Sequence, residues 1–102
     1  MIVRMWRTAI DPNRRDEYAD FEQEHSLPMF RQQAGFLGVL FLRTDEGAAA
    51  LSFWESRQHV EHLSVSASYR ATVERLESTG LLRGEQTLEV FEAEGVHLDF
   101  VL

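Results

Sequence analysis

The sequence has no cysteine and no lysine. Without cysteine there is no disulfide framework, no thiolate nucleophile and no Cys-ligated zinc or iron–sulfur cluster. Without lysine there is no Schiff-base amine and no phosphate loop of the usual Lys-bearing kind. All ten cations are arginines, set against seventeen acidic residues for a net charge of −7. That balance speaks against a nucleic-acid partner, because neutralising phosphates needs a basic face. The opening MIVRMWRTAI lacks the continuous apolar core of a signal peptide, and no run is long enough for a membrane span. The expectation is a cytoplasmic protein with no nucleic-acid or membrane partner. There is no GxSxG, HExxH, phosphate loop or Ser-His-Asp order.

What is present is ample material for a core. Hydrophobic residues make up 44% of 102 residues and include seven Phe, two Trp and two Tyr. One domain fits this length, but so short a chain buries only about two-thirds of its unfolded surface. Enclosing both a core and a large private cavity is therefore difficult for a lone protomer.

Ile2–Ala9 reads as a strand carrying apolar residues on both faces: Ile2, Arg4, Trp6 and Thr8 on one, Val3, Met5, Arg7 and Ala9 on the other. Both faces need cover. Asp11-Pro12 supplies an N-cap with proline at the first helical position. A helical pattern follows to Gly35, in which Tyr18, Phe21, His25 and Met29 fall on one stripe, and Pro28 is expected to kink or interrupt it near Ser26 or Leu27. Phe36–Arg43 and Ala48–Trp54 form a hairpin around a Thr-Asp-Glu-Gly turn. Ser56 caps a second helix running through Val60, Leu63, Tyr69, Val73 and Leu76, with a kink near its middle. Gly80 and Gly84 bracket a loop before a last strand, Glu85–Glu92, and residues 96–102 form an apolar tail that could add a fifth strand.

Strand, helix, strand, strand, helix, strand is the split βαβ, or ferredoxin-like, arrangement: an α+β fold whose antiparallel sheet carries both helices on one face. The other face would be a bare apolar patch, which soluble monomers avoid. A homodimer through that face follows from the pattern.

If the first helix packs on the face bearing Arg4 and Trp6, then Arg4, Trp6 and His25 converge on one cavity, a cation and a base beside an aromatic wall. His59 and His62, three apart on the second helix, have no third ligand at a convincing spacing, so no metal site is expected. The acidic residues Asp16, Glu17, Asp20, Glu22 and Glu24 read as a solvated helix face.

The segments MIVRMWRT, AGFLGVLFLR and LSFWESRQHVEHLSVSASY resemble the antibiotic biosynthesis monooxygenase family of dimeric α/β barrels, over about Ile2 to Glu92. The resemblance implies a domain of residues 1–92 with a tail at 93–102, and a ligand cavity between sheet and helices in each subunit. It also implies oxidation of a small aromatic or phenolic substrate by dioxygen with no cofactor. In that chemistry Arg4 lowers the phenol's pKa, His25 accepts its proton and Trp6 stacks on its rings. Phe21, Trp54 and Tyr69 are further candidates for substrate contact. A non-catalytic dimeric ligand-binding or accessory protein is the alternative. The haem-degrading branch of the family carries Asn on the first strand and a Trp and a His ten residues apart on the second helix. Aligned without gaps, those positions hold Trp6, Leu63 and Val73 here, which disfavours haem degradation.

Overall fold

In a computed structural model, residues 1–100 are described. Four strands, β1 (Ile2–Ile10), β2 (Phe36–Arg43), β3 (Gly47–Trp54) and β4 (Leu82–Glu92), form one antiparallel sheet in the order β2-β3-β1-β4. Consecutive β2 and β3 form the expected hairpin, and β1 lies centrally between β3 and β4. This is the ferredoxin-like order, as the element sequence predicts.

The first connection is α1 (Arg15–Phe21), a π-helical turn at Glu22–Ser26, and α2 (Leu27–Arg31). Helix begins later than the Asp11-Pro12 pair suggests. Asp11 Oδ1 accepts from the Asn13 amide at 3.0 Å and the Asp11 carbonyl from Arg14 at 3.1 Å, so these residues close a turn ahead of the helix. The interruption ahead of Pro28 is present, as a wider π turn over Glu22–Ser26. Proline has no N–H for the carbonyl four residues back, and a turn of i→i+5 bonds is one way to pass it. The second connection is α3 (Arg57–Val65), capped by Ser56, and α4 (Ala67–Ser78), capped by Ser66. The Ser66 side chain accepts from the Tyr69 amide while its extended backbone breaks the helix in two.

Two expectations at the C-terminal end need correction. Strand β4 begins at Leu82, and Gly84 lies inside it with φ +78°, where the register against β1 slips between Arg7 and Ala9. Glycine there makes a bulge rather than ending a loop. No strand forms at 93–100, and Val96, Leu98 and Phe100 are exposed. The last two residues of the expected fifth strand lie outside the described residues.

Pairing sets the two sheet faces. Ile2, Arg4, Trp6 and Thr8 stand opposite Trp54, Ser52, Ala50 and Ala48 on the helix-covered face. Beneath it lie two hydrophobic clusters. One is built on Ile2, Met29, Phe30, Trp54, Val60 and Leu63, the other on Ile10, Tyr18, Phe21, Ala48, Leu76 and Leu81. The opposite face carries Val3 beside Phe53 and Phe91, Met5 beside Leu51, and Leu40 beside Leu51. None of these six is buried, and Phe91 is 45% exposed.

Candidate active site

Where the two clusters meet, the helix-covered face is hollow. Across the sheet, Phe41 and Trp6 flank Ala50, whose methyl group fills little of the space between them. The resulting cavity, about 40 Å³, is bounded by Arg4, Trp6 and Ala50 from the sheet and by Tyr18, Met29 and Tyr69 from the helices, among others. Its walls are mostly apolar.

Arg4 is the exception to that lining. Its residue is 2% exposed, yet among the described residues its guanidinium has no carboxylate partner. Nη2 donates to the Tyr69 hydroxyl at 2.7 Å, and Cζ lies 5.1 Å from the Tyr69 ring centroid. Guanidinium stays charged in proteins, so the hydrogen bond and the ring contact are what offset its desolvation. Two features position this pair. Strand alternation turns Arg4 inward, and the Ser66 cap starts α4 so that Tyr69 falls on its first turn. Trp6 is held by its indole N–H, which donates to Gln86 Oε1 at 3.0 Å, and Gln86 in turn donates to Glu77 at 3.2 Å.

Of the six residues singled out in the sequence, the structure brings together Arg4, Trp6 and Tyr69. His25, Phe21 and Trp54 do not line the cavity. His25 sits on the outer side, its ring 4.9 Å from that of Phe21 and bordering surface grooves. The π turn is the reason: a straight helix would keep His25 on the stripe of Tyr18 and Met29, whereas the wider turn rotates it away. Phe21 is buried in the second cluster. Trp54 is fully enclosed, edge-on to Phe30 and Phe36, with its N–H donated to Ser52 Oγ at 2.8 Å. It is core.

Tyr18 and Phe41 are wall residues that the sequence reading did not single out as site residues. Burial, and after it the Glu22 carboxylate, push the Tyr18 hydroxyl up from its ordinary value. Among the described residues no three His, Asp or Glu side chains stand together as a metal site. His59 Nδ1 is instead hydrogen-bonded to Ser56 Oγ at 2.8 Å.

No protein-family model matches the sequence, and no curated protein matches it. Solved structures do match in fold. A monooxygenase of Streptomyces coelicolor, ActVA-Orf6, in complex with nanaomycin D superposes with a TM-score of 0.74 at 20% identity, covering 97% of this chain and 92% of that one. SnoaB, a cofactor-independent oxygenase of Streptomyces nogalater, gives 0.75 at 15% identity, covering 93% and 94%. A protein of unknown function from Nitrosomonas europaea gives 0.76 at 15% identity, covering 98% and 95%. The chain thus has the fold of the antibiotic biosynthesis monooxygenases, over nearly its whole length.

Proposed function

We propose that the protein is a cofactor-independent monooxygenase that oxidises a small aromatic phenol with dioxygen, acting as a homodimer. The observation that carries this reading is Arg4, a buried guanidinium without a carboxylate partner among the described residues, hydrogen-bonded to Tyr69 at an apolar cavity. Such a group favours a ligand that becomes anionic when bound. A phenol ionised by Arg4 is electron-rich enough to reduce dioxygen itself. For 1-naphthol the balance is naphthol plus dioxygen giving 1,4-naphthoquinone plus water. One oxygen atom enters the ring and the substrate supplies all four electrons. The protein then contributes exclusion of water, orientation of the ring against Trp6, and stabilisation of the phenolate by Arg4 and the Tyr69 hydroxyl.

The other sheet face supports the dimer. Its apolar residues need cover, and a second copy seated there leaves the helix-covered side free for the substrate. That arrangement answers the difficulty of fitting core and site into one short chain.

The cavity volume favours a second reading. About 40 Å³ is well below the ~300–1,000 Å³ of ordinary ligand pockets. A bicyclic phenol enters only if wall side chains move, and a protein that keeps them in place is a non-catalytic accessory or small-ligand-binding protein. Dioxygen consumption separates the two. With a panel of phenols and no added metal, flavin or reductant, the oxygenase consumes dioxygen faster than buffer and Arg4→Gln does not. Consumption at the buffer rate with every phenol overturns the oxygenase reading.

A further inference from the structure

Tyr18 and Phe41 close one side of this cavity. Both residues also line a second hollow of about 220 Å³ on the far side, between α1 and the β2-β3 hairpin, which opens to the surface and is bordered by Arg15, Asp16, Glu22 and Arg43. Tyr18 and Phe41 therefore stand as a partition between a small inner chamber and a larger outer one. Together the two chambers approach the lower limit of ordinary ligand pockets.

Glu22 has an unusual setting on this outer chamber. It is the first residue of the π turn, a feature frequent at functional sites. It lies four residues after Tyr18, close enough for its carboxylate to act on the Tyr18 hydroxyl. It is half-buried, and among the described residues it has no ion pair or side-chain hydrogen bond. Neither cation on this hollow pairs with it: Arg15 donates to the Gly47 and Thr44 carbonyls at 2.9 and 3.2 Å, Arg43 makes no salt bridge among the described residues, and burial alone accounts for Glu22's departure from its ordinary value.

We propose that the two chambers form one substrate seat when Tyr18 and Phe41 move aside, and that Glu22 is the base that takes the proton from the ring carbon being oxygenated. This rests on the oxygenase reading and adds a residue and an entry route to it. In a phenol oxidised to a para-quinone, the oxygen and the carbon that loses hydrogen lie at opposite ends of one ring. Tyr69 packs on the first cluster and Tyr18 belongs to the second, so a phenolate oxygen held by Arg4 and Tyr69 directs its para carbon toward the partition and Glu22.

The step balances as follows. Dioxygen bonds to the para carbon of the phenolate, and the distal oxygen takes the proton released by the phenol, giving a hydroperoxide whose carbon still carries hydrogen. The Glu22 carboxylate removes that hydrogen as a proton. The C–H electron pair becomes the second bond of the new C=O, the O–O bond breaks, and the departing hydroxide takes the proton from Glu22 to leave as water. A carboxyl pushed up to about 7 is well matched to accept and return a proton near neutrality.

The test uses the full-length protein with 1-naphthol as probe, following dioxygen consumption and naphthoquinone formation across pH. Removing a general base costs roughly 10²–10⁴-fold, so Glu22→Gln loses that much kcat with KM within about threefold. The wild-type rate rises with pH through about 7, and Glu22→Gln lacks that rise. Naphthol deuterated at carbon 4 slows turnover. Glu24→Gln, on an exposed neighbour of the same turn, keeps the wild-type rate. Should Glu22→Gln not fold, Glu22→Asp retains a carboxylate and shows a reduced rate with the same pH rise. A wild type that oxidises naphthol while Glu22→Gln keeps its rate and pH profile overturns this inference and leaves the oxygenase reading standing. A wild type that consumes no dioxygen with any phenol overturns both.

Discussion

Replacing Arg4 by Met should leave the fold at least as stable while removing the proposed oxygenase activity. The residue is 2% exposed, and a buried ion carries a desolvation penalty of several kcal/mol even after the protein relaxes. Against that penalty stand one charge-assisted hydrogen bond to Tyr69, about 1.5–3 kcal/mol, and one cation–π contact, about 0.5–2 kcal/mol. No carboxylate adds to these among the described residues. Methionine keeps much of the apolar stem in the same wall and has no charge to desolvate. The penalty and the contacts are of similar size, so Tm should be unchanged or higher, each kcal/mol moving it by roughly 4–8 °C for a domain near this size. Tyr69→Phe should move stability the other way. It removes the acceptor of the guanidinium and costs about 1–3 kcal/mol. Thermal unfolding followed by circular dichroism, at fixed protein concentration so that any self-association does not shift Tm, reads both. If Arg4→Met lowers Tm by several degrees, Arg4 is a structural residue and the case for an anionic ligand fails.

Three further outcomes follow from particular residues. Gly35 has φ +79°, and a Cβ there would overlap the His59 ring. Gly35→Ala is expected to cost about 2 kcal/mol or more, and combining it with His59→Ala recovers only the steric part, as a double-mutant cycle by urea unfolding will show. Glu22, raised to about 7 from an ordinary 4.5, binds its proton more tightly in the folded chain. Its contribution to stability is complete below about 4.5 and is lost as pH rises through about 7. Solvent screening at this half-exposed group reduces the loss to on the order of 1 kcal/mol, and Glu22→Gln should flatten that slope in unfolding measured from pH 4 to 8. Phe53, opposite Val3 on the uncovered sheet face, should hold the dimer: sedimentation is expected to show a dimer for the wild type and a monomer for Phe53→Glu.

Strand positions were legible in the sequence because each apolar run is bounded by turn chemistry. The Thr44–Gly47 turn closes with the Gly47 amide donating to Thr44 Oγ1 at 3.0 Å, and Ser56 and Ser66 cap their helices by side-chain acceptance. Alternation alone put Arg4 and Trp6 on the covered face, and a stripe of three- and four-residue steps put Tyr69 on the inner side of its helix. The same rule failed for His25, because it assumes unbroken α-helix and Pro28 imposes a π turn just before itself. Trp54 shows a different limit. Its place on the covered face was readable, but whether a large aromatic lines a cavity or fills the core depends on its neighbours across the sheet, here Phe36 and Ile2. The one sequence signal for the hollow was Ala48 and Ala50, two small residues on the covered face of a central strand. Glu22 read as one of five solvated acids. Its half-burial beside a partition assembled from residues 23 positions apart (Tyr18 and Phe41) distinguishes it from exposed Glu24.

The central claim is that Arg4 holds an aromatic phenol in its ionised form, and the absorption spectrum of bound 1-naphthol under anaerobic conditions at pH 7 tests it most directly. Free naphthol is neutral at that pH. The account predicts a red-shifted naphtholate band on titration into the protein, unchanged by Glu24→Gln and absent with Arg4→Met. A bound naphthol that keeps its neutral spectrum, or a naphtholate band that survives Arg4→Met, contradicts it.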